Sequence, residues 1–183
     1  MAGGWNRIAK RIRVPLGFAF AIFFLWLARP SLLFIALSLL LVIPGVCLRA
    51  YASGYVKKNA ELTVTGPYAY TRNPLYLGSM LIAFGFALAS RSPWIAIALA
   101  ALFAIIYVPV ISGEEQFLRG KFPEFDAYAV RVPRLLPRIG RPAPQDGGGG
   151  FSAALYQKHR EYNALIGAVA IYAALVLRLY FLR

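Results

Sequence analysis

The chain has 183 residues, 60% of them hydrophobic and 15% charged, and 20 Lys and Arg against 7 Asp and Glu give a formal charge of +13. A soluble domain is nearer half apolar, and here the apolar residues gather into long blocks, which excludes an ordinary soluble domain and predicts an all-α integral membrane protein with about five transmembrane helices. The basic residues flank the apolar blocks, as expected for loops facing anionic lipid headgroups rather than nucleic acid.

The first predicted span covers roughly Val14–Ala28, behind Arg7, Lys10, Arg11 and Arg13. Ala28-Arg29-Pro30 is a poor cleavage site, so this segment reads as an uncleaved span and not a signal peptide. The second runs Ser31–Tyr51, with Pro44-Gly45 as an expected kink and Cys47 inside it. The third runs Pro74–Ser90 and the fourth Pro93–Gly113, joined by the tight turn Arg91-Ser92. The fifth runs about Tyr162–Phe181, after a Pro/Gly-rich stretch that ends in Gly147–Gly150. The expected organisation is therefore a four-span core with its cytoplasmic segments over residues 1–140, a linker and interfacial anchor over 141–160, and a fifth helix over 161–183. Cys47 and His159 are the single residues of their kinds, so no internal disulfide, thiolate zinc site or histidine metal cluster is expected.

Arg49, Lys57, Lys58 and Arg72 lie between the second and third spans, and eight Lys or Arg lie between the fourth and fifth, from Arg119 to Arg160. The opposite turns carry Arg29 and Arg91. This bias predicts a cytoplasmic N-terminus, a C-terminus outside, and a bacterial-type inner membrane with the functional face toward the cytoplasm.

Residues capable of chemistry cluster on that face. Gly66-Pro67 marks a turn. Asn73 precedes Pro74, is pushed out of the α region, and is an expected N-cap with proline at the first helical position. A helix start beside Arg72, with Tyr76 one turn in, suits a carboxylate or phosphate; the same residues also suit an ordinary interfacial helix start. Gly78, Gly85 and Ala89 recur at helical spacing, as helices that approach closely in lipid require. Glu114 and Glu115 end the fourth span, where they suit a cation or ribose hydroxyls, or pair with Arg119 or Lys121. Phe122, Phe125 and Tyr128 form an apolar edge beside Arg131 and Arg134, which predicts an interfacial amphipathic helix lying as a lid.

Taken together, Gly66-Pro67-Tyr68, the run from Arg72 to Gly78, Glu114-Glu115 and the run from Phe122 to Pro137 resemble the isoprenylcysteine carboxyl methyltransferase family, a group that includes phospholipid N-methyltransferase-like proteins. The resemblance covers about Leu62–Pro137. Asn73 stands where the family often has His, and Phe125 where Tyr is common. The resemblance implies an S-adenosylmethionine-dependent methyltransferase, releasing S-adenosylhomocysteine and acting on a lipophilic substrate from the bilayer by carboxyl O-methylation or lipid amine N-methylation. It implies a cofactor site of Tyr68, Arg72, Asn73, Pro74, Leu75, Tyr76, Gly78, Glu114, Glu115 and Tyr128, with catalytic roles for Arg72, Glu115, Arg131 and Arg134. Two alternatives stay open: an NADPH-dependent membrane reductase of sterol-reductase-like type, and a non-catalytic lipid-binding scaffold.

Overall fold

The computed structural model describes residues 20–57, 60–140 and 150–181. These residues form helices joined by turns, with no strand among them. Helix α1 is seen over 20–27; residues 14–19 of the first predicted span lie outside the described residues. After an extended Ser31, α2 covers Leu32–Ser53 and continues through Pro44. A single 3₁₀ turn, Gly66–Ala69, precedes α3, Pro74–Ser90. Proline opens α3 because the first helical residue has no N–H partner to lose. At its far end Arg91 adopts the left-handed conformation, φ 54°, and its N–H bonds to the Leu88 carbonyl at 3.2 Å.

The next helix is longer than the expected Pro93–Gly113. It starts as α4, Pro93–Leu102, widens into a π-helical turn at Phe103–Tyr107, and continues as α5, Val108–Lys121. Pro109 cannot donate to the carbonyl four residues back, and its ring crowds that carbonyl. The wider turn just ahead of it accommodates the crowding without a break. Nothing after Gly113 stops the helix, because Glu, Gln, Leu, Arg and Lys are good helix formers. At 1.5 Å per residue Glu114 lies about 32 Å from Pro93, close to the hydrocarbon thickness of about 30 Å. A helix that enters the apolar layer at Pro93 would thus bring the carboxylates to its opposite edge. Leu32–Ser53, Pro93–Lys121 and Tyr162–Phe181 are long and apolar enough to cross a membrane, and Pro74–Ser90 is a shorter apolar helix.

Helix α2 packs most extensively against α3. Gly45 and Gly78 face each other there: a Cβ on Gly78 would stand 2.8 Å from the Gly45 carbonyl oxygen and 2.7 Å from Arg49 Cγ. Without side chains at these positions the two backbones meet directly. Phe24, Val42, Phe86, Ile95 and Leu175 fill the core between α1, α2, α3, α4 and the last helix. The Arg29 N–H bonds to the Ser90 carbonyl at 2.9 Å, so the α1–α2 and α3–α4 turns sit together at one end.

Short helix α6, Phe125–Arg131, follows α5. Its apolar edge does not face lipid as an interfacial helix would. Phe125, Tyr128 and Val132 are buried against Leu62, Val64, Leu118 and Phe122. Residues 153–159, expected as linker, form α7, Ala153–His159, with Ser152 capping the Leu155 N–H. The last helix, α8, is Tyr162–Phe181. Its Tyr172 hydroxyl lies 2.8 Å from Ser38 Oγ on α2. Arg178 donates to the Ala28 and Trp26 carbonyls at 2.6 and 2.7 Å, which adds a third basic side chain to the Arg29–Arg91 end.

Candidate active site

The opposite end holds a cavity of about 480 Å³, in the range of small-ligand sites. One wall is the start of α3, with Arg72, Asn73, Pro74, Leu75 and Tyr76. A second is the α5 face carrying Glu114, Glu115, Phe117 and Leu118; these residues share a face through three- and four-residue spacing. The α2–α3 connection forms the third, with Val56, Lys57, Glu61, Leu62, Thr63 and Tyr68, and α6 closes it with Phe125 and Tyr128.

Glu115 is the electrostatic centre. Its Oε1 accepts from Asn73 Nδ2 at 3.1 Å and lies 3.3 Å from Arg72 Nε, while Oε2 lies 3.1 Å from Arg134 Nε. The Glu115 and Arg72 side chains are 14% and 15% exposed. Two guanidinium groups on one carboxylate leave this cluster net positive, so it suits a further anion. Arg72 is also held by its backbone and by Nη1, which donate to the Pro133 and Ala129 carbonyls at 2.9 and 3.1 Å. Its Nε is buried and, despite its closeness to Glu115, lacks an aligned acceptor.

Asn73 occupies the N-cap position of α3, yet its side chain makes no capping bond. The amide instead donates to Glu115 Oε1 and to the Arg134 carbonyl at 2.9 Å. A largely buried carboxylate needs donors, and that demand overrides the local capping preference. Glu114 lines the cavity but, among the described residues, makes no hydrogen bond or ion pair. Neither acid pairs with Arg119, which binds Asp126 at 2.6 Å.

The Tyr128 hydroxyl donates to the Tyr68 carbonyl at 2.8 Å and fixes α6 over the turn before α3. Burial pushes both phenols far above their ordinary range. For Tyr68, the neighbouring Tyr128, Glu161 and Glu114 add to the rise and Arg49 opposes it. For Tyr128, Arg72 opposes the rise and Glu115 adds to it. Both therefore stay neutral at physiological pH.

Of the residues singled out in the sequence, Tyr68, Arg72, Asn73, Pro74, Leu75, Tyr76, Glu114, Glu115 and Tyr128 meet at this cavity. Arg134 reaches it through Glu115, with its Nη2 on Ser112 Oγ at 2.6 Å. Arg131 does not line it: the side chain is on the exposed face of α6, with Nε on the Ala127 carbonyl of its own helix at 3.2 Å. Gly78 does not line it either, because it is buried between α2 and α3. The wall of Val56, Lys57, Glu61, Leu62 and Thr63 was not anticipated. Its one sequence signal is the four-residue spacing of Lys57 and Glu61, which form an ion pair at 2.9 Å.

Fold and site define a helical membrane protein with a charged cavity at one end of its bundle. The phospholipid methyltransferase family profile matches residues 31–124, half of the chain. The chain belongs to that family of membrane methyltransferases, which in general use S-adenosylmethionine. It is 42% identical over 89 residues to the nickel-cobalt-cadmium resistance protein NccN of Alcaligenes xylosoxydans xylosoxydans, covering 49% of this chain and 41% of that protein. It is 40% identical over 89 residues to the cobalt-zinc-cadmium resistance protein CzcN of Cupriavidus metallidurans, covering 49% of this chain and 40% of that one. The chain thus spans about two-fifths of the length of these curated relatives. No solved structure matches it significantly.

Proposed function

We propose that the cavity binds S-adenosylmethionine and that the protein methylates a lipophilic acceptor from the surrounding bilayer. The supporting observation is the convergence of Arg72, Asn73 and Glu115 on a cavity that also carries Glu114, a carboxylate with no ion pair among the described residues. The donor set suits the cofactor's groups. Arg72, on the cavity wall beside the start of α3, suits its carboxylate. Glu114 suits its ammonium or ribose hydroxyls. Tyr68, Tyr76 and Tyr128 offer aromatic faces to a sulfonium or an adenine. Bound there, the cofactor would supply an electrophilic methyl group.

The protein's contribution is alignment and exclusion of water. A carboxylate acceptor needs no general base, and an amine need only be unprotonated. Well-oriented groups reach effective molarities on the order of 10⁵ M or more. Glu115 holds Arg72 and Arg134 in fixed positions, and α6 covers the cavity. Arg134, the more exposed partner, is placed to meet an anionic group on the acceptor. The carboxylates fall at the edge of the apolar layer, so a water-soluble cofactor and a lipid acceptor meet at one boundary, which we assign to the cytoplasmic face of an inner membrane from the Lys/Arg distribution. The relatives' names attach them to resistance to nickel, cobalt, zinc and cadmium; for this chain we carry over only the family's chemistry, methyl transfer.

Calorimetric titration of the purified full chain tests the assignment. Expected is saturable binding of S-adenosylhomocysteine, lost in a Glu114→Gln variant that keeps its thermal stability and in an Arg72→Ala variant assayed below its own unfolding midpoint. Binding of NADPH instead would overturn it in favour of a reductase. Binding of neither would leave a lipid-binding scaffold.

A further inference from the structure

We propose that Glu161, immediately before α8, is a positioning residue for the cavity: its carboxylate holds Arg49 on the first turn of α3, so the C-terminal helix adjusts the site. The proposal rests on reading the cavity as a cofactor site. One carboxylate oxygen, Glu161 Oε2, accepts from Arg49 Nε at 3.1 Å and from Nη2 at 2.7 Å. Both side chains are largely buried, at 11% and 24% exposure. The third guanidinium nitrogen, Nη1, donates to the Leu75 carbonyl at 3.3 Å and to Ser79 Oγ. Ser79 Oγ in turn donates to the Leu75 carbonyl at 3.0 Å.

Leu75 lines the cavity. One guanidinium therefore ties α2, the cavity-forming turn of α3 and the start of α8 together. Gly78 makes the arrangement possible, since a Cβ there would fall 2.7 Å from Arg49 Cγ. The Tyr68 phenol, also on the cavity wall, feels both charges. Glu161 is the carboxylate that neutralises Arg49 among the described residues. Without it, a largely buried guanidinium gains by turning toward water and leaving Leu75.

Glu161 lies beyond residues 31–124, so the family match does not include it. Nor is it required to dock the C-terminal segment. The Ser152 N–H bonds to the Gly54 carbonyl at 2.9 Å, His159 Nδ1 lies 3.0 Å from the Ser53 carbonyl oxygen, and Tyr172 and Arg178 hold α8 farther along.

Two readouts on the full chain separate positioning from simple docking. One is S-adenosylhomocysteine affinity; the other is amide hydrogen exchange over residues 75–79, which needs no ligand. Expected for Glu161→Gln is faster exchange across this turn and about tenfold weaker binding, the scale of one charge-assisted hydrogen bond. Tyr172→Phe, which breaks a different α2–α8 contact, should lower thermal stability and leave both readouts at wild-type values. Unchanged exchange in Glu161→Gln, or the same two changes in Tyr172→Phe, would overturn the proposal. Should Glu161→Gln not fold, Arg49→Lys keeps the charge but cannot span Glu161 and Leu75 together; it should give the same two changes, and a wild-type exchange pattern there overturns the proposal equally. If the wild type binds no S-adenosylhomocysteine, the cofactor reading fails and the exchange result alone decides the positioning one.

Discussion

Glu115 accepts from Asn73 and is the counter-ion of both Arg72 and Arg134. Removing it as Glu115→Ala leaves the Arg72 guanidinium buried without its counter-ion, at a cost of about 3 kcal/mol, read as a lower midpoint of thermal unfolding. The double variant Arg72→Leu/Glu115→Leu removes both charges and should regain most of that stability, because a buried ion pair gains little over well-packed apolar residues. It should not regain cofactor binding. Recovery of both would mean that the pair serves folding alone. The buried tyrosines set the alkaline behaviour. Their phenols titrate in the fold far above the ordinary 10.0, whereas in the unfolded chain they titrate near it. The folded state therefore keeps its protons where the unfolded state loses them. The contribution of these two tyrosines to stability should be constant below about pH 10 and turn unfavourable above it. Tyr68→Phe should make the decline shallower in unfolding scans against pH, and a decline as steep as in the wild type would show that Tyr68 ionises without unfolding.

At the scale of elements, α3 was the most legible. Proline at its first position and the Arg91-Ser92 turn at its end are local signals, and they mark both bounds, Pro74 and Ser90. Glycines on one face pointed to a close helix contact, and α2 supplies it. Gly78→Val should cost at least the 1–3 kcal/mol typical of overpacking, since the added side chain meets the Gly45 carbonyl and Arg49 with no room to move. Thermal unfolding checks this, and a wild-type midpoint would mean that the seam is looser than described. Other features depend on partners distant in sequence and left no local trace. The Asn73 side chain serves Glu115, 42 positions away, instead of its own helix. The apolar edge of α6 has the composition of a membrane-surface helix and is turned inward by Leu62, Val64 and Leu118. The π-helical turn follows from Pro109, but proline alone announces a bend without its form. Helix α7 is short and lies in a segment whose glycines and prolines read as linker. Arg49 and Glu161 stand 112 positions apart, with nothing in either neighbourhood to announce their pairing.

Among the described residues, the α1–α2 and α3–α4 turns and Arg178 mark one end, and the cavity, with Lys57, Arg72 and Arg134 around it, marks the opposite one. With Cys47 replaced by Ser, a cysteine at Arg91 should react with an impermeant maleimide only from outside the cell, and one at Glu124 only from the cytoplasmic side. The reverse pattern would place the cavity on the outer face. The most direct test of the central claim is transfer itself: the full chain, reconstituted in membrane lipid, is supplied with S-adenosylmethionine carrying a labelled methyl group. Label should appear in the lipid extract with wild-type protein and fall by about 10² or more in a folded Arg72→Ala variant, as loss of alignment requires. No label above the protein-free control, in lipid from the native membrane and with cofactor saturating, would contradict a methyltransferase.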